Sequence, residues 1–172
     1  MRNVEIKARL SNLQRAREVA VELGAEFSET LHQRDVYFKV RKGRLKLRYL
    51  RPAYGELIYY HRSNQKNPRP SDFQICPALS PDELEQILTD ALGVWIIVTK
   101  VRELYLLNNV RIHLDAVEEL GEFIELEAVM DDTHTVEQEK ERVKDLMQKF
   151  GIINEDLLSV SYSDLLSEKM RK

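Results

Sequence analysis

Ionic side chains recur at every second position, with apolar residues between them, in five separate stretches of this chain. They are Glu5 and Lys7, Lys46 and Arg48, Lys100 and Arg102, Arg111 to Asp115, and Glu125 and Glu127. A β-strand sends alternate side chains to opposite faces, so each stretch has one apolar face and one ionic face. Turned outward, the ionic faces make an ordinary half-wet sheet. Turned inward, they line a barrel whose interior holds charged ligands, and the alternation alone leaves both arrangements open.

The rest of the chain supplies the other elements. Val4, Ile6, Ala8 and Leu10 alternate with Asn3, Glu5, Lys7 and Arg9, which predicts a strand over 3–10. Ser11 is placed to cap a helix carrying Leu13, Ala16, Ala20 and Leu23 on one stripe, stopped by Gly24. A strand within 30–40, a turn at Gly43 and strands over 44–51 and 55–62 follow, then a polar loop from Ser63 to Pro70 and a returning strand over 71–77. Ser80-Pro81-Asp82-Glu83 starts a helix to about Leu92. The β-type run from Val94 to Leu107 turns at Asn108-Asn109, a pair that tolerates positive φ, into Val110 to Ala116. Glu122 to Met130 alternates again, an amphipathic helix spans about 135–150, and Ser161-Tyr162-Ser163-Asp164 forms a capping box for a short last helix. Some eight strands with four helices are enough to close a barrel.

Charge distribution bears on the partner. Lys and Arg gather in 44–48 and 100–102 and carboxylates in 125–127, whereas a solvated sheet mixes signs because like charges opposite one another are destabilising. A ring of bases suits a multiply charged anion, and grouped carboxylates suit a hard divalent cation. The net charge of −3 argues against a nucleic-acid partner, whose affinity comes from summed phosphate neutralisation. No stretch approaches the roughly 18 apolar residues of a membrane span, and a single cysteine, Cys76, allows no intrachain disulfide. The expectation is a cytoplasmic protein that binds neither nucleic acid nor membrane. His32, His61, His113 and His134 lack metal-ligand spacing.

Several of these stretches together resemble the CYTH family, the triphosphate tunnel metalloenzymes. Asn3-Val4-Glu5-Ile6-Lys7 resembles the family's N-terminal ExExK signature, and Gln33 to Phe38, Leu45 to Arg48, Tyr60 to Arg62, Arg69 to Asp72 and Lys100 to Arg102 follow in family order. Arg111 to Asp115, Gly121 and Phe123 to Glu127 form the most specific match. The resemblance implies an α+β fold, a closed antiparallel eight-stranded β-barrel with flanking helices, as one domain over 1–172. It implies that Glu5, Asp115, Glu125 and Glu127 hold Mg²⁺ or Mn²⁺, with Glu118 as an alternate for Asp115. It also implies that Lys7, Lys46, Arg48, Arg62, Arg69, Lys100, Arg102 and Arg111 grip a triphosphate, with Lys66 as a further base from the same loop as Arg69. Lys7 and Tyr37 would help deprotonate the attacking water, although a strand tyrosine more commonly just fills a barrel.

One position departs from the signature: its first glutamate is Asn3 here. An amide oxygen ligates a cation without contributing charge, so a metal supported there depends more on phosphate oxygens. The function implied is divalent-metal-dependent hydrolysis of tripolyphosphate, thiamine triphosphate or a nucleoside triphosphate, by a monomer or homodimer. The alternatives are an adenylyl cyclase forming cyclic AMP and pyrophosphate, and a polyphosphate- or nucleotide-binding module without turnover.

Overall fold

Eight strands, each antiparallel to its neighbours, close into a barrel in the order β1-β5-β4-β3-β2-β6-β7-β8. The structure is a computed structural model that describes residues 2–51, 54–61 and 67–172, apart from the side chains of residues 2, 51, 69 and 70. The strands are β1 (Arg2–Arg9), β2 (Glu26–Phe38), β3 (Arg44–Arg51), β4 (Tyr54–His61), β5 (Arg69–Ala78), β6 (Val94–Leu107), β7 (Val110–Val117) and β8 (Gly121–Val129). Four helices accompany them: α1 (Leu13–Glu22), α2 (Pro81–Leu92), α3 (Val136–Lys149) and α4 (Tyr162–Met170).

The apolar faces of β1, β2, β3, β7 and β8 point away from the barrel axis and are covered by helices. Val4, Ile6 and Ala8 of β1 and Ile112, Leu114, Ile124 and Leu126 of β7 and β8 are at most 1% exposed. They pack with Ala16 and Ala20 of α1 and Val143, Leu146 and Met147 of α3. Each such aliphatic side chain contributes about 1.5–3 kcal/mol of transfer free energy. A second outer cluster sets Val36, Phe38 and Leu47 of β2 and β3 under Leu84 and Leu88 of α2. Once these faces are committed to the helices, period-2 alternation obliges Glu5, Lys7, Lys46, Arg48, Glu125 and Glu127 to face the interior. The inward arrangement left open by the sequence is the one observed.

One end of the barrel is filled rather than open. Inward-facing Tyr37, Ile96, Val98, Val117 and Phe123 cluster there with Tyr162 and Leu166 of α4. α4 is fixed by the expected capping box, in which the Ser161 side chain accepts from the Asp164 amide and the Asp164 side chain accepts from the Ser161 amide. The Asn108-Asn109 turn also forms as expected, with Asn108 at φ 54°.

Three local expectations are corrected. The first helix is capped by Asn12, whose side chain accepts from the Arg15 amide, and not by Ser11. β2 begins at Glu26 rather than near residue 30, because Glu26 to Thr30 are exposed on both faces and carry no alternation; cross-strand bonding to β6 makes them strand. β5 begins at Arg69, two residues ahead of the expected start. Ser80 heads α2 as expected, though its side chain makes no capping hydrogen bond.

Candidate functional site

The barrel encloses a cavity of about 620 Å³, within the size range of small-molecule sites. Its polar wall has two parts, a floor of buried bases and a row of carboxylates.

The floor is built on β2, β3, β6 and β7. Asp35 accepts from Arg48 Nε and Nη2, each at 2.7 Å, and from Lys46 Nζ at 2.8 Å. Asp115 accepts from Arg102 Nε and Nη2, each at 2.6 Å, and from the Tyr162 hydroxyl at 2.8 Å, while Lys100 Nζ stands 3.8 Å away. Cross-strand register produces both groups, since Asp35 lies opposite Arg48 and Asp115 opposite Arg102. These four bases share Asp35 and Asp115, and Arg102 reaches a third carboxylate, Glu125, so the bases outnumber the carboxylates they meet in a region at most 20% exposed at the side chains. Buried charge of one sign is costly without compensation, so the floor is suited to receive an anion.

Protonation reports the same imbalance. Burial, and then the adjacent Arg48 charge, push the Lys46 ammonium down to about 8 against the opposing pull of Asp35. Burial and Arg102 push Lys100 well below the ordinary lysine range. The carboxyl of Asp35 would be raised by burial, but Arg48 and Lys46 hold it well below the usual carboxylate range. Asp115 is likewise lowered, with Arg102 and Lys100 overcoming the effect of burial.

The carboxylate row runs along β1 and β8. Glu5 lies directly opposite Glu127, and Lys7 directly opposite Glu125. Lys7 Nζ is 2.6 Å from Glu125 Oε1 and 3.3 Å from the centroid of the Tyr162 ring. Glu125 also meets Arg102 Nη2 at 3.1 Å, and His113 Nδ1 lies 3.7 Å from it. Burial and then the Arg102 charge lower His113 below the ordinary imidazole range. Glu127 accepts from Asn3 Nδ2 and from Arg111 Nη1, the latter at 3.4 Å.

A divalent cation fits this row only in company with a ligand. Among the described residues no three acidic, histidine or cysteine side chains converge as a metal cage. Two carboxylates, Glu5 and Glu127, nevertheless stand directly opposite one another across the ladder, and both line the cavity. Beside them, Asn3 Oδ1 is buried and accepts no hydrogen bond among the described residues. Mg²⁺ is commonly held by one or two carboxylates and completed by substrate phosphates rather than by an all-protein cage. This set of oxygens matches that chemistry.

The placement of the expected residues is uneven. Lys7, Lys46, Arg48, Lys100, Arg102 and Arg111 all line the cavity, as do Glu5, Glu125 and Glu127. Asp115 is fully buried beneath Arg102, with both oxygens engaged, and so sits under the wall rather than on it. Tyr37 lines the cavity away from the carboxylate row, beside Trp95 and within hydrogen-bonding reach of Tyr60, with Lys46 Nζ 5.5 Å from its ring. The tyrosine that meets Lys7 is Tyr162. Arg69 lies opposite Glu5 in β5, with its side chain outside the described set; Arg62 and Lys66 lie outside the described residues. Asp35 orders Lys46 and Arg48, a role for which its only sequence signal is its place two residues from Tyr37 on the same strand face.

The sequence profile of the CYTH domain matches residues 1–162. No curated protein matches the chain. Among solved structures, a protein from Pyrococcus horikoshii OT3 is 25% identical with a TM-score of 0.85, over 95% of this chain and 98% of that one. A candidate adenylate cyclase from Vibrio parahaemolyticus is 22% identical with a TM-score of 0.78, over 96% of this chain and 97% of its own. A candidate adenylyl cyclase from Hippeastrum, described as having a dominant triphosphatase activity, is 16% identical with a TM-score of 0.62, over 99% of this chain and 96% of its own.

Proposed function

This chain belongs to the CYTH domain family, and from that premise we propose that it hydrolyses the terminal phosphate of a triphosphate-bearing small molecule held inside the barrel, with Mg²⁺ or Mn²⁺. The observation that carries this reading is the buried floor of Lys46, Arg48, Lys100 and Arg102, ordered by Asp35 and Asp115, beside an opposed pair of carboxylates, Glu5 and Glu127.

Phosphoryl transfer asks the protein chiefly to position reactants and to neutralise charge on the phosphate oxygens. Arg48 and Arg102 offer planar guanidinium groups for bidentate phosphate contacts, held rigid by Asp35 and Asp115 behind them. Lys46 and Lys100 add compact charges between them. Asn3, Glu5 and Glu127 would hold the divalent cation, which when bound would supply charge neutralisation and activation of the attacking water. Asp115 acts as the carboxylate that orients Arg102, not as a metal ligand.

Water attacks the terminal phosphorus, the bond to the bridging oxygen breaks, and orthophosphate and the diphosphate product separate. The proton released from the water leaves on a phosphate oxygen of the orthophosphate product, while Lys7, held as an ammonium by Glu125 at 2.6 Å, stabilises the negative charge that develops. Tyr37 stays protonated, because burial and then Tyr60 push its hydroxyl well above the ordinary tyrosine range, and it donates a hydrogen bond to the phosphate chain.

Incubating the protein with Mg²⁺ or Mn²⁺ and, separately, tripolyphosphate, thiamine triphosphate and ATP tests the proposal. Orthophosphate release is the expected result. Cyclic AMP with pyrophosphate from ATP would replace it with a cyclase, and binding without products would leave a binding module.

A pH dependence follows from Lys46. Its proton is lost from the free protein as pH rises through about 8, whereas a bound polyanion favours the charged form. Affinity for tripolyphosphate should therefore weaken about tenfold between pH 7 and pH 9, with proton uptake on binding at the higher pH. Calorimetry in buffers of different ionisation enthalpy measures both, and Lys46→Arg should flatten the profile.

A further inference from the structure

Lys7 is held from two sides by groups that come from different parts of the fold. Glu125 of β8 supplies the counter-charge, 2.6 Å from Nζ. The other side is closed by the face of the Tyr162 ring, whose centroid lies 3.3 Å from the same nitrogen and 5.1 Å from Lys100 Nζ. A ring face carries the negative part of the aromatic quadrupole, so an ammonium out of water is attracted to it. The hydroxyl of the same ring donates to Asp115 Oδ2 at 2.8 Å, the oxygen that also accepts from Arg102 Nη2. Burial, then Asp115 and Glu125, push that hydroxyl well above the ordinary tyrosine range, so it remains a donor.

The chain leading to Tyr162 is fixed to β1 at Lys7 itself. The Leu158 amide donates to the Lys7 carbonyl at 2.9 Å, the Arg9 amide donates to the Asp156 carbonyl at 2.9 Å, and Leu157 bridges to Ala8. Four residues after Leu158, the capping box of Ser161 and Asp164 starts α4, and Arg44 Nη2 of β3 meets Asp164 at 2.8 Å. Backbone pairing on one side and an ion pair on the other thus set Tyr162, which is 3% exposed, over Lys7. Packing beside Phe123 and Leu166 requires only an apolar group here. It requires neither the hydrogen bond to Asp115 nor the contact with the ammonium.

Resting on the triphosphate reading above, we infer that Tyr162 is a positioning residue for phosphoryl transfer, its ring fixing the Lys7 ammonium and its hydroxyl steadying Asp115 behind Arg102. The two ends of the side chain act on different parts of the reaction. Arg102 grips the phosphate chain in the bound substrate and in the transition state alike, so loosening it raises KM. Lys7 meets charge that develops during transfer, so displacing it lowers kcat; a misplacement of about 1 Å costs on the order of 100-fold.

Steady-state kinetics with Mn²⁺ and the most rapidly cleaved of tripolyphosphate, thiamine triphosphate and ATP tests this, with circular dichroism to verify folding of each variant. Tyr162→Phe keeps the ring and should raise KM about three- to tenfold, with KM carrying the larger part of the loss in kcat/KM. Tyr162→Leu should in addition lower kcat by at least about tenfold. Replacing Tyr162 by mono-, di- and trifluorophenylalanine keeps the shape but drains negative charge from the ring face, so kcat should fall stepwise with fluorine count, which a merely space-filling ring would not produce. The Lys7 side-chain NMR signals give a readout without ligand: the ring current shifts them upfield, Tyr162→Leu should abolish the shift, and Tyr162→Phe should retain it. An unchanged KM in Tyr162→Phe, a flat fluorine series in an active protein, or Lys7 signals without the upfield shift would overturn the inference while leaving the triphosphate reading intact. Cleavage of none of the three triphosphates by the wild-type protein would overturn both.

Discussion

Glu127→Gln is expected to abolish metal-supported turnover while leaving the fold in place. Glu127 sits opposite Glu5 on the cavity face, steadied by Asn3 Nδ2 and Arg111. The substitution keeps the shape and an acceptor oxygen but removes half of the charge that the opposed pair presents to a cation. Loss of even an outer-shell partner of a metal ligand costs about 10–100-fold. If the proposed site of two carboxylates and an amide holds the metal, loss of one ligand should cost at least about 100-fold in kcat/KM, with the midpoint of the Mn²⁺ dependence moved upward. Because Asn3 contributes no charge, little reserve remains to absorb the change. Full activity of Glu127→Gln at the wild-type Mn²⁺ midpoint would remove Glu127 from the metal site.

The second large effect is on stability and has an unusual ligand dependence. Asp35 is 1% exposed and is shared by Arg48 and Lys46. Asp35→Asn leaves those two cations buried without a counter-charge, a loss on the order of 3–5 kcal/mol. A polyanion in the cavity restores the missing charge. Tripolyphosphate should therefore raise the melting temperature of Asp35→Asn by more than it raises that of the wild-type protein at the same concentration. A smaller shift in the variant would show that the floor does not face the ligand, and an unchanged melting temperature without ligand would show that Asp35 is not the counter-charge of the floor.

Much of this architecture is legible in the sequence because each strand pairs a greasy face with an ionic one. What alternation cannot decide is the direction of each face, since a solvated sheet and a filled barrel share the same period. Segregation of Lys46, Arg48, Lys100 and Arg102 from Glu125 and Glu127 carried that information, and closure of eight strands explains why segregation is tolerated. The long start of β2 was not legible, because Glu26 to Thr30 owe their conformation to pairing with β6 and not to any pattern of their own. Nor were the partners within the cavity. Register determines that Lys7 meets Glu125, whereas the docking of α4 brings in Tyr162, which lies far along the chain. Asp35 belongs to a stretch that resembles the family, yet only its burial against Arg48 and Lys46 shows it to be a counter-charge.

A crystal structure with Mn²⁺ and a non-hydrolysable triphosphate analogue tests the central claim most directly. The account predicts phosphate oxygens against Arg48 and Arg102 inside the barrel, and an anomalous Mn²⁺ peak between Glu5 and Glu127 that also touches the phosphate chain. Phosphates bound to the outer surface, or an Mn²⁺ peak remote from both carboxylates, would contradict it.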